Sequence, residues 1–496
     1  MLRPLLILIL LVTAQARGAQ QLPNIILCMG DDHGWDETGY NGHPHLQTPV
    51  LDEMAAEGLK LNRFYAAHPS CSPTRASVVT GRHPNRCGTF APNYSIRPDE
   101  ITIAHLLAEK GYRCGHFGKW HLGPVKECSP TSPGAMGFHE WLSHDNFFEL
   151  NPFLSRNGGP PEKFEGESSE IIVAEAIQFA RQAVQQQQPF LLVIWFGSPH
   201  EPYSGLPQDL ALYDDLPKEW ESKKVRLTSN ETGRQVQRPL RDVLRERYAE
   251  ITAMDRSIGQ LRTWLREQQI RDDTLLWYCG DNGTSADGIE TSPFRGRKGN
   301  MYEGGLRVPG VIEWPAQIRA AVASDVPCVT SDILPTLCSV TGATLPHRPL
   351  DGVNLKGLID GQMTDRNRAI GFWSYDAAGE SEHPSLLSEE QQRGTTPLVK
   401  LMGDIATRNF RNFRHPAVEP EDYSGSRVWL DGDWKLVVNG RRGRPEQFEL
   451  FNLRADPSEQ NNLAMRQRGR VTSMNSELRR WQSSVLNSLV GRDVAP

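Results

Sequence analysis

This chain has no excess of positive charge. Its 54 Lys and Arg stand against 60 Asp and Glu, for a formal net charge of −6. Nucleic-acid partners need a basic face, so that class is disfavoured. An anionic substrate is still compatible, because only the charge inside a pocket matters. The eight cysteines form no CxxC pair and no zinc-ligand spacing. No internal repeat is visible, which excludes solenoids and propellers. Beyond the first residues no apolar run approaches the ~20 needed to cross a bilayer, so no transmembrane span is expected.

The amino terminus carries Arg3, an apolar run over 5–12 and small residues at Ala14-Gln15-Ala16 or Gly18-Ala19. That pattern predicts a signal peptide at 1–19 and export to a periplasm, the exterior or an endomembrane lumen. In an exported chain some cysteines would pair, with connectivity open. The 496 residues, 38% hydrophobic and 23% charged, suit a globular protein of one large domain and a smaller one.

The organising stretch is Cys71-Ser72-Pro73-Thr74-Arg75-Ala76-Ser77-Val78-Val79-Thr80-Gly81. Pro73 suits a first helical turn and Gly81 a helix end. A group at such a start faces unpaired N–H donors and the positive end of the helix dipole. Arg75 adds a fork of donors matched to a tetrahedral oxyanion. A nucleophile beside an anion cradle is the minimum kit for hydrolysing a sulfate or phosphate ester. The plainer alternative is a buried free cysteine before a helix.

Three apolar runs read as strands, two of them as buried, and residues 112–117 read as a further strand candidate, each with a polar tip. Residues 24–29 lead into Asp31-Asp32, and residues 274–279 into Asp281-Asn282. Adjacent carboxylates repel unless a cation sits between them. Hard oxygen donors suit Ca²⁺ or Mg²⁺, and four such side chains fit one Ca²⁺ better than zinc. Residues 112–117 lead into Gly118-Lys119-Trp120-His121, where alternation points Lys119 and His121 the same way in extended chain. Residues 190–196 end near His200, held between prolines. Lys298 lies in the basic run Arg295-Gly296-Arg297-Lys298-Gly299, which alone could be a solvated turn.

Helices are predicted over 168–187, capped by Ser168 or Ser169, and over 239–269. Alternating strands and helices imply an α/β fold with a large, mostly parallel sheet between helices. The expected organisation is a catalytic domain at 20–378, a linker or loop excursion at 379–425 and a small sheet plus helix at 426–496. The irregular stretches 141–166 and 206–237 read as loops that, with the excursion, would wall the pocket.

Several of these segments resemble the type I sulfatases of the alkaline phosphatase superfamily. C-x-P-x-R-x-x-x-x-T-G is matched at Cys71, Pro73, Arg75, Thr80 and Gly81. G-Y-x-T-x-x-x-G-K-x-H is matched at Gly111, Tyr112, Gly118, Lys119 and His121, with Cys114 in place of the usual Thr. His200 stands in an H-x-P-Y setting and Lys298 in K-G-x-x-Y-E-G-G. The resemblance implies an alkaline phosphatase-like fold with a smaller C-terminal α+β subdomain. It implies that a formylglycine-generating or sulfatase-maturating enzyme oxidises Cys71 to Cα-formylglycine, which works as its hydrate. It implies one Ca²⁺ held by Asp31, Asp32, residue 71, Asp281 and Asn282. Arg75, Lys119 and Lys298 would stabilise the sulfuryl oxygens, His121 would help deprotonate the second hydroxyl, and His200 or Lys298 would protonate the leaving alcohol. The implied substrate is a sulfated carbohydrate or aryl sulfate. The runner-up activity is phosphate monoester or diester hydrolysis on the same fold.

Overall fold

Residues 24–30 show why one edge of this molecule can concentrate charge. β1 (Asn24–Gly30) sends Ile25, Leu27 and Met29 into one hydrophobic core and Ile26 and Cys28 into another. A strand buried on both faces reads as an unbroken apolar run, and its polar ends fall at the sheet edges. The structure, a computed structural model, describes residues 22–146, 148–229, 234–288, 291–377, 379, 382–397 and 408–493. The expected signal peptide at 1–19 lies outside the described residues.

Among the described residues the main sheet has ten strands. After β1 these are β2 (Leu59–Leu61), β3 (Arg113–Lys119), β4 (Glu140–His144), β5 (Phe153–Arg156) and β6 (Pro161–Lys163). β7 (Phe190–Trp195), β8 (Thr274–Gly280), β9 (Gly310–Glu313) and β10 (Val322–Ser324) complete it. The spatial order is β10-β2-β9-β8-β1-β7-β3-β4-β5-β6. From β8 to β4 all neighbours are parallel. The register sets Gly30 beside Gly280 and Lys119 beside His144, so the carboxyl ends share one edge. Open α/β sheets place ligands at such edges.

Helices cover both faces, as expected. α1 (Pro49–Glu57) lies on one face; α2 (Cys71–Thr80) and α3 (Ile103–Ala108) lie on the other. α4 (Ser168–Gln185) and α5 (Leu240–Glu267) join α1, and α6 (Ile333–Thr341) joins α2. The cap of α4 differs from expectation. Glu167 accepts the Glu170 N–H at 2.9 Å, while Ser168 and Ser169 sit buried in the first turn. A carboxylate one residue earlier reaches the same donor.

Two stretches read as loops are structured. Residues 141–166 supply most of β4 together with β5 and β6. Polar residues disguise β4, yet its Ser143 hydroxyl is satisfied by His116 Nδ1 at 2.7 Å. Residues 206–237 hold a short helix, Pro207–Ala211, and most of an antiparallel hairpin of Lys224–Thr228 with Gln235–Pro239. The cysteines are all unpaired. Cys28 and Cys279 lie on neighbouring strands but point into opposite cores, which forbids a bridge between them. Among the described residues no helix is long and apolar enough to cross a membrane.

The smaller sheet is antiparallel: β11 (Ile370–Tyr375), β12 (Gly425–Asp431), β13 (Trp434–Asn439) and β14 (Gln447–Asn452). One face packs on α7 (Arg468–Leu489) through Leu436, Val438 and Leu450 against Met474 and Leu478. The other packs on the main body, with Phe372, Val428 and Phe451 against Tyr65, Met301 and Leu306. β11 precedes residues 379–425, so this sheet closes across that excursion.

Candidate active site

α2 starts at the carboxyl edge. Ser70 is extended at φ −157°, Cys71 is the first helical residue, and Gly81 ends the helix at φ 68° with its N–H on Ser77 O. Every residue of α2 is buried. Cys71 Sγ lies 3.8 Å from Asp32 Oδ1. Arg75, one turn on, faces the same way. Its Nη2 and Nε donate to Asp281 Oδ2 at 2.7 and 3.1 Å, and its Nη1 donates to Lys119 O at 3.0 Å.

Each carboxylate at this edge meets at least one cation, and Arg75 Nη2 reaches Asp31 Oδ1 at 3.6 Å as well as Asp281. Lys119 Nζ lies 2.5 Å from Asp31 Oδ2, and Lys298 Nζ lies 2.7 Å from the Asp32 carboxylate. Burial would raise the Asp31 pKa, but Lys119, His200, Arg75 and Lys298 outweigh it and hold the group well below the carboxylate range. At Asp281 burial comes first and Asp31 repels next; both outweigh Arg75 and push the carboxyl up to about 7. Such crowding is what a divalent cation relieves.

The backbone of the tip is tied down. Asp32 sits at φ +62° and its N–H donates to Asp281 Oδ1 at 2.9 Å. Asn282 Nδ2 donates to Asp32 Oδ1 at 2.8 Å. Arg247, fully buried on α5, donates to Asp32 O at 2.7 Å and Pro199 O at 2.6 Å while gripping Glu37. One guanidinium thus fixes both the Asp32 loop and the loop carrying His200.

The donor set fits a hard cation. Asp31 Oδ1 and Asn282 Oδ1 are buried with no hydrogen-bond partner. Asp31, Asp32, Cys71 and His200 each present one ligand atom, all within 4.8 Å of one another. His200 enters this group although the sequence marks it only for substrate. Asp281 lies outside that 4.8 Å group, and its oxygens accept from Arg75 and the Asp32 N–H.

The histidines differ. His200 Nδ1 donates to Glu201 O at 2.5 Å, which leaves Nε2 to accept from Lys298 Nζ at 3.3 Å. Burial and Lys298 push its pKa down to about 4, so the ring is neutral at pH 7. His121 is buried with neither ring nitrogen partnered among the described residues. Burial and then Lys119 hold it well below the imidazole range. The extended geometry behind the expected alternation stops at Lys119, where β3 ends; His121 sits at φ +54° with its ring 6.2 Å from that of Phe410. The Cys114 departure is confined to packing, its thiol lying 3.6 Å from Ala104 O.

Sequence reasoning missed several residues that shape this edge: Glu37, Arg247, Asp145, Arg408 and Phe410. Arg408 and Phe410 belong to Arg408-Asn409-Phe410-Arg411-Asn412-Phe413, a three-residue repeat inside a stretch read as patternless. That repeat was the available signal.

Comparison with known proteins agrees with the geometry. The family model described as Sulfatase matches residues 23–343. N-acetylgalactosamine-6-sulfatase of Canis lupus familiaris is 31% identical over 390 residues, covering 71% of this chain and 69% of that protein. Arylsulfatase A of Bos taurus is 30% identical over 386 residues, covering 73% of each. The crystal structure of Ps i-CgsB shares the fold at TM-score 0.72 and 23% identity, covering 94% of this chain and 93% of that one. The family match begins beside β1 and runs past α6, taking in every residue brought to this edge from the main sheet, so the chain belongs to the sulfatase family and is a sulfuric ester hydrolase.

Proposed function

We propose that the protein removes sulfate from a sulfated carbohydrate, using Cα-formylglycine at position 71 and one Ca²⁺. The observation that carries this is the convergence of residue 71, at the start of a buried helix, with two unpartnered oxygen ligands and three cations. Names such as N-acetylgalactosamine-6-sulfatase among the relatives support a sugar substrate. The segment at 1–19 supports export, and a maturation enzyme would act on Cys71 before folding.

Asp31, Asp32, Asp281 and Asn282 would hold Ca²⁺. When present, the two groups supply a geminal diol, one hydroxyl to attack sulfur and one to expel sulfate, and positive charge for the sulfuryl oxygens. The three carboxylates bring about −3 and the ester about −1, against about +3 from Arg75, Lys119 and Lys298 and +2 from the ion. The balance of about +1 favours a bound anion. Arg75 and Lys119, each fixed by a carboxylate, present preorganised donors to the sulfuryl oxygens. His121 Nε2 or Nδ1, neutral and unpartnered among the described residues, takes a proton from position 71. The hydrogen-bonded pair of His200 and Lys298 delivers a proton to the leaving alcohol.

Turnover of 4-nitrophenyl sulfate against 4-nitrophenyl phosphate tests the reaction, with sulfate expected to win. Faster phosphate turnover would favour the phosphoester alternative. The peptide holding position 71 should be about 18 Da lighter than its cysteine form. His200→Ala should slow sugar sulfates more than 4-nitrophenyl sulfate, whose leaving group needs no proton; equal losses would remove His200 from the acid role.

A further inference from the structure

The excursion at 379–425 does more than join two sheets. Its described parts fold back over the carboxyl edge. Gly394 N donates to Arg408 O at 2.9 Å, Phe410 N donates to Gln392 O at 2.7 Å, and Arg393 faces Asn409 across an antiparallel bridge. This pairing is anchored to the main sheet through Asp145, which follows β4. Asp145 Oδ2 accepts from Thr396 N at 2.7 Å and from Thr396 Oγ1 at 2.9 Å. Phe410 is fully buried and seats its ring against His121. Backbone pairing therefore fixes Arg408 and leaves its side chain uncommitted.

That side chain is half-buried and within electrostatic reach of residue 71 and of His121. Its guanidinium makes no hydrogen bond or ion pair with any described residue. The nearby cations are different: Arg75, Lys119 and Lys298 each have a carboxylate within 2.7 Å. A half-buried guanidinium without an anion is an incomplete interaction, because its five donors match a carboxylate or sulfate in a fork. Arg75 and Lys119 are fully buried, so the scissile sulfate would meet them on the floor of the site, with Lys298 part-exposed beside it. Arg408 stands on the part-exposed side, where the rest of a substrate must lie.

We infer that Arg408 is a specificity-determining residue that receives a second anionic group of the substrate, a carboxylate or a further sulfate on the sugar near the scissile ester. This rests on the sulfate-ester activity proposed above.

The test uses matched substrates with the wild type, Arg408→Ala and Arg408→Lys. One pair is the unsaturated uronate–N-acetylgalactosamine 6-sulfate disaccharide with its carboxylate intact or reduced to the alcohol. The other is N-acetylgalactosamine 4,6-disulfate against the 6-sulfate, and 4-nitrophenyl sulfate is the reference. The wild type should favour the more anionic member of one pair by about ten-fold or more in kcat/KM, mainly through KM. Which pair shows it separates carboxylate from sulfate. Arg408→Ala should reduce that preference to about two-fold or less, and Arg408→Lys should keep part of it. Each preference is a ratio within one variant, so altered folding yield does not mimic it. A wild type without preference in either pair, or a preference that survives in Arg408→Ala, overturns the inference. Release of sulfate from none of these substrates would take down the parent activity as well, and is a distinct result.

Discussion

Two clusters of buried charge can be set side by side. At the seam with the smaller sheet, Lys435 lies between Glu303 and Glu459 at 2.9 and 2.8 Å. The Tyr65 hydroxyl donates to the other Glu303 oxygen at 3.0 Å, and the Glu303 N–H donates to the other Glu459 oxygen at 2.6 Å. Three of the four carboxylate oxygens accept hydrogen bonds from within the chain, and the fourth, Glu459 Oε1, is ion-paired with Lys435 at 2.8 Å. At the catalytic edge three carboxylates also meet three cations, yet Asn282 Oδ1 has no hydrogen-bond partner and Asp31 Oδ1 has only Arg75 Nη2 at a longer 3.6 Å. The seam is complete as it stands and serves registration of one part on another. The edge is complete only with a ligand. The two are linked, since Glu303 lies five residues beyond Lys298 in the same K-G-x-x-Y-E-G-G segment.

The sharpest way to separate the clusters is Cys71→Ala. Sulfate release should fall about 10⁴-fold or more, because no other group at the edge replaces the nucleophile. The thermal midpoint should move by no more than a few degrees; a large shift would mean that residue 71 also supports the fold. Lys435→Met should do the reverse. It strands two buried carboxylates and should cost about 3–5 kcal/mol in a denaturant titration, while the enzyme that remains folded still turns over. Loss of turnover without loss of stability would erase the distinction. Chelation comes next. Dialysis against EDTA should lower activity about 100-fold, with Ca²⁺ restoring it and Zn²⁺ not. Unchanged activity, with calcium absent by elemental analysis, would remove the ion from the edge.

The smallest effect concerns pH and a second contact of the seam. Asp351 accepts from Arg86 Nε at 2.7 Å and from Trp481 Nε1 on α7 at 2.8 Å. Burial would raise its pKa, but Arg86 outweighs burial and holds it below the usual carboxylate range. A depressed folded pKa adds stability above the unfolded value near 3.8, and that stability is lost as pH falls toward the folded value. Asp351→Asn should therefore cost about 2 kcal/mol at pH 7 and much less at pH 3. Equal losses at both pH values would show that charge plays no part there.

Most of the main sheet was legible because its strands are buried on both faces and their polar tips stand out against apolar runs. Asp31, Asp281 and His200 were visible that way, and Lys119 through the glycines that flank it at a strand end. β4 was not, because its Trp141 and Ser143 are satisfied by Val125 O and His116, partners well back along the chain. His121 was placed correctly at a strand end but for the wrong reason, since a positive φ rather than alternation directs it. Arg408 escaped because long-range backbone pairing to residues 392–394 positions it. No local propensity encodes such pairing.

Tyr375, which ends the strand before the excursion, and Gly425, at the excursion's far end, are direct partners in the smaller sheet. The stretch between them starts and finishes at one fixed point. Its length can change without shifting either sheet, since doubling a loop adds only about 0.6 kcal/mol of closure entropy. If Arg408 reads the substrate as inferred above, the fold has a place where that preference can be rewritten by insertion or deletion while the reacting groups keep their positions.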